Sequence, residues 1–463
     1  MDISALLTRE LGARMVLEPA ELERYFVDES GLGRFPADAA ILAHSRDEVV
    51  QLLEIARAHK IPVTPRGLGS GMTGGALPVR GGIVLSTEKM TRIKEINRDD
   101  LLAVVEPGVI TGDLQAAVEA EGLFYPPDPA SLSICTLGGN VAENAGGPRA
   151  FKYGVTREYV LGLECVQMGG EILNAGRRTS KGVTGYDVVA ALVGSEGTFA
   201  VATEITLKLL PKPREVVALL AVFPDLIAAG EAVGEIVKLG SRPRALELLD
   251  RTTLDHLRGR TPYRIPPAAG AVLLIELDGD EGTLSIANGP LEKCAAACEG
   301  AGATEILIAQ NERERRELWE TRRRANPTLK EMHLHKIPED IVVPRGAIPE
   351  MLKRVDAISA RENLPCATYG HAGDGNLHVN LLVDDPIAPG SALAARVERA
   401  LDAIMRATLD LRGTLAGEHG VGLMKLKYLP WEQSPALIRL QRKLKLLFDP
   451  DDLLNPGKIL PPP

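Results

Sequence analysis

Two hydrophobic periods alternate along the chain. Val49, Leu52, Leu53 and Ala56 recur at helical spacing behind Ser45-Arg46-Asp47-Glu48. That tetrad has the form of a capping box, so the pattern predicts a helix opening at Ser45. Short β-branched or aliphatic runs at 61–64, 82–86, 101–105, 160–168 and 204–210 predict strands, and a helix is expected from about 111 to 121. Pro211-Lys212-Pro213 then breaks the pattern and marks a domain boundary. Beyond it, strands at 216–222 and 271–277 alternate with helices at 226–239 and 291–300, which suggests a separate sandwich of helices over a sheet. The class expected for both parts is α+β.

The pattern fails completely at Pro65-Arg66-Gly67-Leu68-Gly69-Ser70-Gly71-Met72-Thr73-Gly74-Gly75, with five glycines in nine residues. Such a stretch has few side chains to bury, and each Gly costs about 1 kcal/mol in a helix interior. It suits sharp turns that present consecutive N–H groups to an anion. Gly69, Gly71 and Gly74 also satisfy GxGxxG, but a nucleotide-binding βαβ unit needs a helix directly after the loop. Here Ala76-Leu77-Pro78-Val79-Arg80-Gly81-Gly82 follows, which cannot open a long helix. Two further glycine loops are expected at 138–147 and 194–198, so one extended ligand held at several points is implied.

A second chemical centre is Tyr369-Gly370-His371-Ala372-Gly373-Asp374-Gly375-Asn376-Leu377-His378-Val379-Asn380. Gly373-Asp374-Gly375 predicts a tight turn. A strand after it places His378 and Asn380 on one face, Leu377 and Val379 on the other. Glu418-His419 stands between Gly417 and Gly420, poor material for a helix or a core. Two imidazoles and a carboxylate match a divalent-metal ligand set with open positions, and they equally match hydrogen-bonded buried histidines.

Composition narrows the class. With 463 residues the chain exceeds one core, and 45% hydrophobic with 25% charged residues is ordinary for a globular protein. The net charge of −9 gives no reason to expect nucleic acid. The arginines of 313–324 are interleaved with Glu312, Glu314, Glu317 and Glu320, as on a solvated helix face. No secretory signal or apolar membrane span is visible, so a cytoplasmic setting is expected, with peripheral attachment to the inner face of a membrane only through partners. The five cysteines, 135, 165, 294, 298 and 366, have no zinc or iron–sulfur spacing.

In combination these motifs, with Pro126-Pro127-Asp128-Pro129, Thr136-Leu137-Gly138-Gly139-Asn140, Asn144-Ala145-Gly146-Gly147 and Leu454-Asn455-Pro456-Gly457-Lys458, resemble the FAD-dependent D-2-hydroxyacid dehydrogenases. These lie in the vanillyl-alcohol oxidase/p-cresol methylhydroxylase superfamily and include glycolate oxidase, D-lactate and D-2-hydroxyglutarate dehydrogenases. The resemblance spans nearly the whole chain. It implies a two-part FAD-binding domain of the p-cresol methylhydroxylase type at 1–212, an α+β substrate or cap domain at 213–415, and a return to the FAD domain at 416–463. Implied flavin contacts are Pro65, Arg66, Gly67, Gly69, Ser70, Gly71, Thr73, Gly74, Asp128, Ser131, Thr136, Gly138, Gly139, Asn144, Gly146, Gly194, Glu196, Gly197, Ile205 and Asn455. Implied metal ligands are His371, His378 and Glu418, for Zn, Mn or Fe. His419 matches the catalytic base, Arg322 the arginine that holds the substrate carboxylate, and Asn380 and Lys336 substrate-side groups.

The resemblance implies non-covalent FAD, because no His stands between Arg66 and Gly75, and Cys135 reads as a structural thiol. It implies oxidation of a small 2-hydroxy acid, with electrons leaving to a quinone, a soluble carrier or a flavoprotein or iron–sulfur partner subunit, and it leaves an oligomer open. The family pattern often has a hydroxyl residue four positions after the arginine, where this chain has Asn326. An alkyl-transferring ether-lipid enzyme would need an apolar access surface, which the polar His/Glu/Arg set argues against. A non-catalytic companion subunit would have lost some of these clusters, and none is missing.

Overall fold

The computed structural model describes residues 2–12, 19–240 and 242–462. They form two compact units, one within 1–146, 154–212 and 418–463, the other within 147–153 and 213–417.

The first unit has three sheets. Ala39–Leu42, Ile83–Ser86 and Val63–Arg66 form a parallel sheet with Ile83–Ser86 in the middle. Five antiparallel strands follow in the order Ile93–Asn97, Leu102–Val105, Val201–Lys208, Val160–Val166 and Ile172–Gly176, and Leu123–Phe124 pairs with Leu210–Pro211. The helix Arg46–Ala58 presses Val49, Leu52, Leu53 and Ala56 onto Ile41, Val63, Ile83 and Leu85, the apolar stripe the sequence pattern predicts. Its cap differs from the expected box. Ser45 accepts from the Glu48 N–H, but the Glu48 carboxylate reaches back to the N–H of His44.

The C-terminal segment is built into this unit. Val63 N–H donates to Leu453 O at 2.8 Å and Asn455 N–H to Val63 O at 2.7 Å. Lys445, buried in the helix Pro435–Phe448, donates Nζ to Thr198 O at 2.9 Å, Leu454 O at 2.7 Å and Asp449 Oδ2 at 2.5 Å. Asp449 Oδ2 also accepts from the Leu454 N–H. A buried ammonium needs this many acceptors to offset its lost hydration.

The second unit is one antiparallel seven-stranded sheet. Its order is Glu305–Ile308, Glu215–Phe223, Ala271–Gly279, Ala245–Asp250, Cys366–His371, Asn376–Val383 and His335–Val342. Leu220, Val222, Leu249, Val272 and Leu274 pack with Leu254, Leu318 and Leu329 from the helices Arg251–Leu257, Glu312–Arg323 and Ala325–Met332. The helices Leu226–Lys238, Pro290–Gly300, Ile348–Glu362 and Ala392–Asp410 also pack on this sheet and on one another. Covered on both faces, the central strands are buried at nearly every position, so polar residues there sit inside protein.

Lys445→Met should lower the stability of the first unit by about 3–5 kcal/mol, because it leaves Asp449 buried and uncompensated. Adding Asp449→Asn to Lys445→Met should recover part of the loss. Chemical denaturation of the three proteins checks this, and a single variant as stable as the parent defeats it.

Candidate functional site

In the second unit the polar face is assembled by strand register. Tyr369 pairs with His378, Asp340 with His378, Ala367 with Asn380, and Glu247 with His371. Directly paired residues share a face, and so do residues two apart. Glu247, Tyr369, His371, His378, Asn380, Lys336 and Asp340 therefore project from the same side of four adjacent strands. The His371 and His378 rings meet edge to face with centroids 5.2 Å apart. The turn between their strands is held from outside: Arg345 Nε donates to Gly373 O and its guanidinium lies over Phe151 at 5.1 Å.

Glu247 is the hub of this face and is fully buried. One carboxylate oxygen accepts from His371 Nδ1 at 2.7 Å, the other from Arg322 Nε at 2.6 Å. Burial pushes the Glu247 carboxyl up, but His371 and Arg322 outweigh it and hold it below its ordinary value. With the Nδ1 hydrogen turned to Glu247, a neutral His371 carries its lone pair on Nε2. Arg322 lies with its guanidinium 4.8 Å over the Tyr369 ring, and among the described residues its hydrogen bonding is through Nε alone. A guanidinium fork of this kind has the geometry to take a planar anion.

Lys336 donates Nζ to Asn380 Oδ1 at 2.8 Å, and the Asn380 amide donates to Ala367 O and His378 O. Burial, followed by the like charge of Lys330, pulls the Lys336 ammonium down to about 8. Asp340 receives the Asn376 side chain at 2.6 Å and the Gly417 N–H at 2.9 Å, and its Oδ1 stands 3.9 Å from His378 Nδ1. Glu247 and Asp340 are the site residues that motif reading passes over. Their one signal is an acid inside an apolar strand run, Ala245-Leu246-Glu247-Leu248-Leu249 and Ile337-Pro338-Glu339-Asp340-Ile341.

The first unit carries the glycine loops. Among the described residues, the backbone N–H groups of 67–75 donate no hydrogen bond. Consecutive unpaired N–H groups on a partly buried loop form an anion cradle. Gly69 has φ +73, and a Cβ there would stand 2.0 Å from Arg66 Nη2. Arg66 itself turns inward, donating to Val27 O and Arg24 O, so what the loop offers a phosphate is backbone. Thr73 Oγ1 donates to His419 O at 3.0 Å.

The second glycine stretch is not a loop throughout. Residues Leu137–Glu143 form a helix, with Thr136 as N-cap accepting from Gly139 N–H and Asn144 left-handed at its end. Gly138 is needed there because a Cβ at that position would meet Pro107 at 2.7 Å. After the helix, a Cβ on Gly146 would stand 2.8 Å from Glu418 Oε2, so Glu418 lies against the glycine patch in its own unit. The His419 ring stands 3.8 Å from Glu418.

Other expected flavin contacts have inward duties. Glu196 accepts the N–H groups of Val421 and Gly422, and Asn455 Nδ2 donates to Gly75 O and Glu196 O. Burial raises the carboxyls of both Glu196 and Glu143, and Glu143 is raised further by the neighbouring Glu196 and Asp28. Ser131 accepts backbone N–H groups from Ile134 and Cys135, Ile205 is core, and Pro65 is in the parallel sheet. Asp128 is partly buried, and Gly194 and Gly197 have positive φ. The Cys135 thiol is buried and hydrogen-bonded to Thr111.

A family model described as FAD linked oxidases, C-terminal domain, matches residues 212–459, and one described as FAD binding domain matches 37–176. The chain is 42% identical over 422 residues to glycolate oxidase subunit GlcD of Bacillus subtilis, covering 91% of this chain and 88% of that one. It is 32% identical over 461 residues to a D-lactate dehydrogenase of Anaerostipes hadrus, covering 97% and 96%. The solved structure of p-cresol methylhydroxylase with substrate bound superposes with a TM-score of 0.79 at 17% identity, covering 98% of this chain and 96% of that one.

Lys336 gives a pH signature. Its folded value of about 8 lies below the ordinary lysine value of about 10.4. Between these the unfolded chain holds a proton that the folded chain lacks, so this group's contribution to stability rises with pH across that window. The stability of Lys336→Met relative to the parent should therefore decline from about pH 8 to 10.4. Urea midpoints of both proteins at matched pH check it, and a constant difference refutes it.

Proposed function

The chain belongs to the FAD-linked oxidases, and on that premise we propose that it oxidises a small D-2-hydroxy acid, of the glycolate, D-lactate or D-2-hydroxyglutarate kind, to the 2-oxo acid. The observation that carries this reading is the Glu247 bridge, which holds the Arg322 guanidinium and the His371 imidazole on one carboxylate. A 2-hydroxy acid has the matching pair of groups, a carboxylate and an adjacent hydroxyl. FAD fits the first unit because the unpaired N–H groups of 67–75 suit a pyrophosphate.

Bound FAD supplies the two-electron acceptor for hydride from the substrate α-carbon. It is held without a covalent link: the 66–75 stretch has no His, and Cys135 is occupied with Thr111. Gly67 to Gly75 hold its phosphates, and Thr136, Gly138, Gly139, Asn144, Gly146 and Gly194 to Gly197 line its path.

Arg322 takes the substrate carboxylate on its outer fork, and Lys336, steadied by Asn380, adds a second positive charge. His371, His378 and Glu418 are proposed ligands of a divalent ion, Zn, Mn or Fe, which supplies a Lewis acid that eases loss of the hydroxyl proton. Two imidazoles 5.2 Å apart support the pair. Glu418 follows Gly417, whose N–H is fastened to Asp340. His419, beside Glu418, accepts the hydroxyl proton as general base.

No helix among the described residues is long and apolar enough to cross a membrane. We place the protein in the cytoplasm, passing electrons to a quinone, a soluble carrier or a flavoprotein or iron–sulfur partner subunit.

Anaerobic mixing with a panel of 2-hydroxy acids tests the reading, with flavin absorbance as readout. At least one D-2-hydroxy acid should bleach the flavin, and bleaching by none rejects the function. Arg322→Lys should raise KM for that acid about 10- to 100-fold, the worth of a charge-assisted hydrogen bond of about 1.5–3 kcal/mol, with an unchanged flavin spectrum. An unchanged KM moves the carboxylate clamp elsewhere.

Exhaustive chelation should abolish flavin reduction by substrate while the flavin stays bound, and one divalent ion should restore it. Full activity in chelated protein shown by elemental analysis to lack metal makes the histidines hydrogen-bonding residues only.

A further inference from the structure

A second histidine cluster lies in the second unit, outside the site described above. His256 is on the helix Arg251–Leu257, His333 ends the helix Ala325–Met332, and Asp384 follows the strand Asn376–Val383. The two rings are tilted 54° to each other with centroids 4.9 Å and Nε2 atoms 2.9 Å apart. His256 Nδ1 is 2.7 Å from Thr252 O, and His333 Nδ1 is 3.0 Å from Asp384 Oδ1.

These contacts decide the tautomers. A carbonyl oxygen only accepts, so His256 Nδ1 carries the hydrogen. An ionised carboxylate also only accepts, so His333 Nδ1 carries one too. In the neutral rings both Nε2 atoms are then bare lone pairs 2.9 Å apart, and the 4.9 Å between centroids turns them off the line that joins the nitrogens, toward a common point. That arrangement is repulsive unless the two nitrogens share a cation.

The surroundings are those of ligating histidines. Such rings donate their other N–H to a backbone carbonyl or a carboxylate, which fixes orientation and raises basicity. Here one ring has each kind of acceptor. The spacing selects the ion. Two nitrogens about 2.0–2.1 Å from a metal stand about 2.9 Å apart at the right angle of a tetragonal site, and about 3.3 Å apart at a tetrahedral one. The cluster is reachable, since the His333 side chain is 13% exposed and that of Asp384 71%.

The geometry points to a second metal site, formed by Nε2 of His256 and His333 and supported by Thr252 O and Asp384, that takes a tetragonal divalent ion of the Cu²⁺ or Ni²⁺ class with water in its remaining positions.

The test uses untagged, flavin-loaded protein titrated with Ni²⁺ alone and Cu²⁺ alone. The parent should bind one equivalent more than His256→Gln or His333→Gln, and its additional Cu²⁺ should show two equatorial nitrogens by electron paramagnetic resonance. Asp384→Asn, at an exposed position, should keep the stoichiometry and weaken this site about 10- to 100-fold. Because the readout is a difference between parent and variant, ions bound by His371, His378 and Glu418 cancel. Equal stoichiometry in the parent and either histidine variant overturns the site and leaves a proton shared between the rings. If a histidine variant fails to fold, an unchanged affinity in Asp384→Asn overturns it independently.

Discussion

The polar face of the second unit depends on one buried carboxylate. Glu247 is fully buried, and an unpaired buried carboxylate would cost several kcal/mol. It is tolerable because Arg322 and His371 each give it a short hydrogen bond. The same two bonds dictate the site. They fasten a helix and two strands to one point, turn the imidazole so that Nε2 faces away from Glu247, and aim the outer guanidinium. Substituting either partner would disturb more than its own side chain, because the charge left on Glu247 would draw new neighbours toward it.

The two units meet opposite demands. The first has to expose backbone, so it removes side chains: the 67–75 loop gains its N–H cradle because glycines leave the amides accessible. The loop is then fixed from behind. Asn455 Nδ2 and Lys458 Nζ hold Gly75 O, and Thr73 O accepts from Leu423 N–H. The second unit has to place charge in a covered sheet, so it gives buried acids such as Glu247 partners of their own. Lys152 and Tyr153 both reach Asp278, and Trp319 donates to Glu276, by the same logic. At these two places preorganisation is achieved in one unit by backbone donors without protein partners and in the other by a carboxylate held between two side-chain donors.

Most regular elements were legible because their periods were clean. The helix Arg46–Ala58 and the strands Ile83–Ser86, Leu102–Val105, Glu215–Phe223 and Ala271–Gly279 fall within a residue or two of where the apolar pattern puts them. The helix Leu137–Glu143 was hidden, since glycine density argues for a loop, while Thr136 as N-cap and close packing on Pro107 supply what propensity lacks. At the site, histidines were conspicuous because they cluster with glycine. Glu247 and Asp340 were not, because an acid in an apolar strand looks like an ordinary edge position until pairing shows which strand lies beside it. Register joins residues more than a hundred positions apart, and local pattern carries no information about it.

Asn326 shows how a departure from the family pattern takes effect at a distance. It stands four residues after Arg322, where a hydroxyl side chain is often found, on the following helix Ala325–Met332. Its Oδ1 accepts from the Tyr369 hydroxyl at 3.4 Å, and the Tyr369 ring lies under the Arg322 guanidinium. Burial lifts the Tyr369 phenol to about 12, so it remains a donor at any physiological pH and keeps that bond. An amide is longer than a hydroxyl and accepts farther from its own backbone. Asn326 is thereby one of the groups that hold the Tyr369 ring beneath Arg322, together with the Asn380 side chain. The consequence of this residue therefore falls on the ring that underlies the Arg322 guanidinium, the group proposed above to hold the substrate carboxylate.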